Sequence, residues 1–301
     1  MSRLAKALVG IFGLGGVLAA LVVAVPTVAA SASGAVTTQT CSGTLTAPGV
    51  LTGTYPGNVI VNGFCEVNAG QAVVAGNLNI APGGGVVAAF ALNDQTQSGS
   101  SSLTVKKNVV VGRGATLVLG CEPNFFTCID DSGKPPTLQS RGTIGGSLIA
   151  SAPLGVLVHN STISGVVTQN GGGGGLSCTP VGIFKLIGAP VFSDYEDNIL
   201  GDSVSVTQVH SCWLGLLRNT VFGTLTFSSN KMADPDANEV LHNYVNRSLT
   251  CQGNVPAVQY GDSGSSPNAV HGSASGQCRF SRLVPNPAPN GPLSPISVKV
   301  G

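Results

Sequence analysis

The amino-acid sequence predicts an all-β protein, a single-stranded right-handed parallel β-helix (a solenoid of stacked coils) held together by disulfides. Three observations indicate this fold: the composition favours strands and turns, a short apolar pattern recurs at offsets of 19 to 24 residues, and eight cysteines follow an export-like segment. The alternative is a β-sandwich or jelly roll, whose strands are joined by hairpins with turns such as Asn-Gly. Only one such dipeptide, Asn62-Gly63, lies between two strand-like runs, which favours the solenoid.

The composition is typical of short strands joined by tight turns. Gly accounts for 42 of the 301 residues and charged residues for only 9%. The strong helix formers Glu and Met occur only four times and twice, respectively. A chain rich in Gly, Val, Ser, Thr and Asn forms strands bounded by turns, and its low charge argues against disorder.

The recurring pattern is clearest between residues 219–227 and 243–251. At an offset of 24 residues, Val221, Leu225, Phe227 and Asn230 align with Val245, Leu249, Cys251 and Asn254. Upstream, residues 142–150 and 161–169 carry the same pattern at an offset of 19. Such offsets fit one coil of a β-solenoid, in which each repeat buries its apolar face against its neighbours. The aligned asparagines predict a ladder of stacked side-chain amides.

The cysteines predict four disulfides. Their number is even and all follow the N-terminal segment, as expected for an exported protein. Because a solenoid brings segments close in sequence together, we expect sequential pairing. No C-x-x-C pair occurs and no His lies at ligand spacing from a cysteine pair, so the cysteines do not indicate zinc. The predicted pairs are Cys41–Cys65, Cys121–Cys128, Cys178–Cys212 and Cys251–Cys278.

The domain organisation is predicted to be one solenoid between two terminal segments. Residues 1–32 are predicted to be a signal peptide, because two basic residues precede a long apolar run and Ala30-Ser31-Ala32 offers a cleavage site. A retained N-terminal membrane anchor is the alternative, since about 20 apolar residues span a bilayer. Residues 33–283 form the β-helix domain, in which residues 121–141 are an excursion from the coils, and residues 284–301 form a Pro-rich tail. The protein is therefore expected to be secreted, with no membrane contact after cleavage.

A resemblance adds to this interpretation. Residues 230–240 (Asn-Lys-Met-Ala-Asp-Pro-Asp-Ala-Asn-Glu-Val), residues 248–254 (Ser-Leu-Thr-Cys-Gln-Gly-Asn) and residues 266–272 (Ser-Pro-Asn-Ala-Val-His-Gly) are similar to the C-terminal part of uncharacterised secreted actinobacterial proteins. The resemblance covers about residues 219–280. It implies export and a β-helix-like fold, and it carries over no catalytic residue.

Two acidic clusters are candidates for calcium. Carboxylate and amide oxygens suit this hard cation, which takes 6–8 oxygen ligands. The spacing does not match an EF-hand, and the competing interpretation is a solvated turn whose side chains bond their own backbone. The second cluster is the weaker candidate. The first comprises Asp234, Asp236, Asn238 and Glu239, and the second Asp194, Glu196, Asp197 and Asp202.

Catalytic motifs are weak. Gly261-Asp262-Ser263-Gly264 resembles a serine-protease nucleophile loop, but a triad also needs a histidine and an acid in defined positions. None of the four histidines stands in the corresponding context. Paired carboxylates of a glycosidase are not excluded by the sequence. The scarcity of aromatic residues, at 5%, argues against an extended sugar groove.

The sequence therefore predicts an exported, non-catalytic β-helix with a structural, cell-surface or interaction role. A carbohydrate-binding or carbohydrate-active β-helix, with calcium as the one candidate cofactor, is the alternative. The partner is expected to be a cell-wall component, a polysaccharide or a protein. Nucleic acid is not expected, because the chain after residue 32 carries twelve basic and thirteen acidic residues and has no basic face for phosphates.

Overall fold

The structure, a computed structural model, describes residues 37–259 and 267–280, and the backbone of residues 282–283. The predicted signal peptide (residues 1–32) and the whole predicted Pro-rich tail (residues 284–301) lie outside the described residues, as does Ser263.

The described chain winds through three sheet faces, which we number in the order in which each coil meets them. Asn58–Glu66 is a long strand that contributes to both face 2 and face 3. A short two-stranded ladder, His210–Ser211 with Lys231–Met232, lies between faces 2 and 3, and Gly182–Lys185 is a 3-10 helix.

Face 1 consists of Gly53–Tyr55, Gln71–Val74, Ser102–Val105, Thr143–Ile144, Thr162–Ile163, Ile199–Leu200, Thr220–Val221, Tyr244–Val245, Ala269–Val270 and Arg282–Leu283. Face 2 consists of Thr38–Gly43, the first part of Asn58–Glu66, Leu78–Ile80, Val109–Val111, Leu148–Ser151, Val167–Asn170, Val204–Thr207, Leu225–Ser228, Leu249–Gln252 and Ala274–Gly276. Face 3 consists of Gly49–Val50, the second part of Asn58–Glu66, Gly85–Ala88, Thr116–Leu119, Gly155–His159, Phe192–Glu196, Trp213–Leu217 and Asn238–Leu241.

All ladders between the described strands are parallel, and their register matches the sequence repeat. Val221 pairs with Val245, and Leu225 pairs with Leu249. Ile144 pairs with Ile163 at the predicted offset of 19 residues. The predicted parallel β-helix is confirmed, and the sandwich alternative is wrong, because hairpins would give antiparallel ladders. Its right hand stays a prediction, in line with the preference of parallel connections.

The core is one continuous interior shared by all the coils. On face 2, a single stack of buried aliphatic side chains runs through eight successive strands. Burial of each of these side chains away from water stabilises the fold by about 2 kcal/mol. The stack is Val59, Leu78, Val109, Leu148, Val167, Val204, Leu225 and Leu249.

The corner between faces 3 and 1 is a two-residue turn that repeats from coil to coil. Its first residue has a left-handed backbone, with φ of 55° at Asp197, 53° at Arg218 and 58° at His242. Its second residue is a buried Asn, whose side chain bonds the next coil. A left-handed backbone conformation at a non-Gly residue costs about 1 kcal/mol or more. The hydrogen bonds of the buried asparagine that follows offset this strain.

The disulfides form in the expected sequential pairs: Cys41–Cys65, Cys121–Cys128, Cys178–Cys212 and Cys251–Cys278. Two of the described segments that leave the coils between consecutive strands contain a disulfide cysteine. The first excursion, residues 120–141, contains the predicted Cys121–Cys128 loop. The second excursion comprises residues 171–191, and Cys178–Cys212 ties it to a coil.

Candidate functional site

The outer side of face 3 is covered by protein. Strands of this face, such as Gly85–Ala88 and Gly155–His159, are buried at every position, because their outward side chains pack under the two excursions. Outward residues Val87, Val118 and Leu157 belong to a second apolar cluster together with Phe184 of the second excursion. Face 3 is therefore the part of the solenoid where the excursions pack on the outside of the coils and form a second apolar cluster with them.

An apolar pocket of about 290 Å³ opens between the two excursions. Thr127 supplies the one hydroxyl in a lining that is otherwise apolar. The pocket wall contains Val87, Val118, Phe125, Phe126, Thr127, Ile129, Leu157, Ile183, Phe184, Ile187, Ala189 and Phe192.

Exposed apolar side chains surround this pocket. Phe125 is 56% exposed, Ile129 54% and Ile187 49%, and all three line it. Leu186, beside Ile187 on the second excursion, is 61% exposed. Exposed apolar side chains that cluster in this way mark an interaction site more often than isolated ones do.

A buried polar group lies next to the pocket, and we call Glu122, His159, Asp194 and Glu196 the acid–histidine cluster. His159 ends the strand Gly155–His159 and pairs in register with Glu196 at the end of Phe192–Glu196. Asp194 lies two residues before Glu196 on the same side of that strand. Glu122 comes from the first excursion, where its backbone N–H donates to Phe126 O at 2.8 Å.

His159 is the centre of this cluster and is only 1% exposed. Its Nδ1 lies 3.3 Å from Glu196 Oε2, and its Nε2 lies 3.8 Å from Asp194 Oδ2. Neither nitrogen has a hydrogen-bond partner of good geometry. The Phe126 ring stacks on the imidazole with centroids 4.2 Å apart and planes 8° apart, which fixes the orientation of the imidazole ring.

Arg218 joins the cluster to the corner of the coils. Its guanidinium donates to both oxygens of Asp197, at 3.0 and 3.1 Å from Nε, and also to Glu196 Oε1. The same guanidinium lies 3.6 Å above the centre of the Phe125 ring, a cation–π geometry. Arg218 therefore connects two coil corners and the first excursion.

The protonation states of the cluster differ from those in water. Burial, followed by the charge of Asp197, raises the pKa of Glu122 to about 8. Burial, followed by the charge of Glu196, raises the pKa of Asp194 well above its usual value. Burial lowers the pKa of His159. Burial also acts upward on the pKa of Glu196, but His159 and Arg218 outweigh it and the pKa falls. These shifts favour the carboxylate form of Glu196, the neutral form of His159 and the protonated forms of Glu122 and Asp194.

The cluster has the chemistry of a metal-ligand set. One ligand atom each from Glu122, His159 and Glu196 lie within 4.8 Å of one another. A histidine nitrogen with carboxylate oxygens suits zinc and other first-row metals. General acid–base chemistry needs contact with a substrate, and the burial of His159 beneath Phe126 withholds that contact.

The first predicted calcium set is divided between a turn and a strand. Asp234 Oδ1 accepts from the backbone N–H of Asp236 at 3.0 Å, as in the solvated-turn interpretation. Asn238 and Glu239 lie buried in the strand Asn238–Leu241, where Asn238 Nδ2 donates to Pro256 O and Glu239 accepts from Trp213 Nε1. Within the described chain, Asp234, Asp236 and Glu239 form no group at ligand distance. Calcium at this site stays a prediction.

The second predicted acidic set is largely brought together. Asp194 and Glu196 belong to the acid–histidine cluster and Asp197 bonds Arg218 beside it, whereas Asp202 lies in another turn and bonds Ser203. Sequence reasoning missed Glu122 and His159. His159 pairs with Glu196 across 37 residues, because the second excursion interrupts the repeat, and Glu122 belongs to no coil. The one local signal for Glu122 in the sequence was its position next to Cys121, a cysteine of a predicted disulfide.

Fold and site together define a disulfide-stapled parallel β-helix with a covered outer face. No protein-family model matches the chain, and neither the curated proteins nor the solved structures that were compared show a match. The resemblance over residues 219–280 stays a prediction. Within the described residues, no helix has the length and apolar character needed to cross a bilayer.

Proposed function

We propose that this protein is an exported, non-catalytic β-helix with an interaction role, and that it binds an apolar ligand in the pocket between the two excursions. The coils supply a rigid scaffold, and the excursions supply the binding surface. The observation that carries the proposal is the pocket of about 290 Å³ with exposed Phe125, Ile129 and Ile187 at its wall.

Export is supported by the cysteine chemistry. Four disulfides indicate an oxidising setting, since such bonds persist outside the cytosol. Two of these bonds hold the excursions that form the pocket, Cys121–Cys128 within the first and Cys178–Cys212 at the base of the second. Because the walls are cross-linked, little ordering entropy is lost when a ligand enters, which favours affinity.

The chemistry of the lining selects an apolar occupant over a sugar. Ligand pockets of about 300 Å³ and more are mostly apolar with a few polar groups that orient the ligand. A carbohydrate needs several hydrogen-bonding side chains, yet Thr127 is the single polar residue of this wall. Trp213, an aromatic platform candidate, packs edge-on against Phe192 with centroids 6.0 Å apart. The carbohydrate alternative therefore has no specific contact in its favour.

Fluorescence of N-phenyl-1-naphthylamine, an apolar probe, tests the proposal. We expect saturable binding with a dissociation constant of roughly 1–100 µM, typical of a small apolar molecule. Ile187→Arg places a charge at the wall and should weaken binding at least tenfold, about 1.4 kcal/mol. Ile149→Arg is the matched control, because Ile149 is an exposed isoleucine of face 2 outside the pocket. Equal binding by both variants, or no saturable binding by the parent chain, contradicts the proposal.

A further inference from the structure

We propose that Glu122, His159 and Glu196 bind a divalent transition-metal ion of the zinc class, each through one ligand atom. The ion would join the first excursion to two adjacent coils of face 3. This site is separate from the apolar ligand of the proposed function, and it would act as a structural clamp.

The donor groups come from three parts of the chain and meet at one point. His159 and Glu196 are register partners on neighbouring strands, and Glu122 approaches from the excursion above them. Their ligand atoms lie within 4.8 Å of one another. In tetrahedral zinc sites with bonds of about 2.0–2.2 Å, ligand atoms lie roughly 3.3–3.6 Å apart. A contraction of at most about 1.2–1.5 Å, within reach of side-chain rotation, would therefore bring the three ligand atoms to zinc-binding separations.

Buried polar atoms without hydrogen bonds point independently to a ligand. Glu122 Oε1, Asp194 Oδ1 and both ring nitrogens of His159 are buried and lack a hydrogen-bond partner. Buried polar groups in folded proteins are hydrogen-bonded in the great majority of cases, and a buried group left without a partner is unfavourable. A metal ion bound to Glu122 and to one ring nitrogen of His159 would satisfy a polar group of each residue, since an imidazole presents only one nitrogen to a given ion.

The number of carboxyl groups in the region also favours a cation. Glu122, Asp194, Glu196 and Asp197 bring four carboxyl groups to one place, and Arg218 is the one guanidinium that contacts them. A divalent ion at this place adds positive charge beside several carboxyl oxygens.

The chemical types of the ligand atoms indicate which metal ion the site would bind. Calcium and magnesium prefer sets made of oxygen alone, whereas an imidazole nitrogen with two or three carboxylates suits zinc and its first-row neighbours. Outer contacts that orient the ligands are present: Phe126 stacks on the His159 ring, and Arg218 donates to Glu196. Such supporting contacts are typical of metal sites.

The test is zinc binding by the purified chain after chelator treatment and dialysis, followed by calorimetry and elemental analysis. We expect about one equivalent of zinc for the parent chain. Glu122→Gln retains the shape of the side chain and lies on the excursion, so the coils should fold, as far-ultraviolet circular dichroism would show. This variant should bind zinc more than about 100-fold more weakly, beyond the 10–100-fold typical of outer-shell changes.

Asp234→Asn is the matched control, because Asp234 is a carboxylate of the predicted calcium set away from this cluster. It should leave zinc binding unchanged. A second readout is Co²⁺, whose visible absorption in the parent chain should disappear in Glu122→Gln. If the parent chain takes up no zinc, or if Glu122→Gln binds zinc as tightly as the parent, the acids form a proton-sharing network and the proposal is wrong.

Discussion

Asn219 donates a hydrogen bond from Nδ2 to Oδ1 of Asn243, one coil further along, at 2.9 Å, and both side chains are buried. The pair belongs to a ladder that begins at Asn198 and ends at Asn268, with amide-to-amide distances of 2.9 to 3.0 Å. Each of the first three amides also donates to a backbone carbonyl of an adjacent strand. The ladder therefore satisfies the backbone at the left-handed corner and fixes the stacking of the coils.

Replacement of Asn243 tests the ladder. Asn243→Ala removes two bonds that the residue accepts from Asn219 and two that it donates, to Leu216 O and Asn268 Oδ1. Because several buried partners lose their hydrogen bonds, we expect the free energy of unfolding to fall by about 3 kcal/mol or more. Chemical denaturation measures this change.

Asn246→Ala is the matched control for the ladder. Asn246 is half-buried, and its side chain makes one long contact, 3.4 Å from Phe222 O. This substitution should change the free energy of unfolding by no more than about 0.5 kcal/mol. Similar losses in the two variants would show that the ladder adds nothing beyond ordinary corner contacts.

The sequence predicted those parts of the fold in which the repeat is uninterrupted. Val221 with Val245 and Leu225 with Leu249 could be aligned because no residues are inserted between the coils. Asn230 and Asn254 were predicted to stack through their side-chain amides; in the structure the backbone N–H of Asn230 donates to Asn254 Oδ1 at 3.1 Å. The longer ladder through Asn219 and Asn243 follows the same offset of 24 residues and was overlooked.

The site was less accessible to sequence reasoning. His159 and Glu196 are neighbours only because residues 171–191 leave the coil and return, and the length of an excursion sets no register. Glu122 reaches the cluster through contacts of the first excursion, including its pairing with Phe126. Such contacts depend on how the excursion packs on the folded coils. The sequence repeat carries no information about that packing.

Phe227 tests the shared interior. It is fully buried on face 2 and stacks in register between Val206 and Cys251. Phe227→Ala leaves a cavity that neighbouring coils fill only in part, so we expect a loss of about 3–5 kcal/mol in the free energy of unfolding. Phe222→Ala is the matched control, since Phe222 is 37% exposed at a turn, and its loss should stay near 1 kcal/mol or below. Thermal and chemical denaturation compare the two, and equal losses would contradict a packed common core.

Glu66 gives the protein a pH-dependent stability. Burial, followed by the charge of Asp94, raises the pKa of Glu66 above its ordinary value of 4.5. A carboxyl group whose pKa is higher in the folded state holds its proton more tightly there than in the unfolded chain. Its contribution to stability is therefore fully present below pH 4.5 and is lost as the pH rises through the folded-state pKa.

Glu66→Gln removes this titration and preserves an acceptor for Asn68 Nδ2, which donates to Glu66 Oε2 at 3.2 Å. We expect the variant and the parent chain to have similar stability at pH 4, and the variant to become the more stable of the two by pH 8. Urea denaturation across this range measures the difference. In an Asp94→Asn background the same substitution should have a smaller pH-dependent effect, because the second cause of the shift has been removed. A parent chain that gains stability relative to Glu66→Gln as the pH rises would show that the carboxylate is stabilised in the fold rather than penalised by burial.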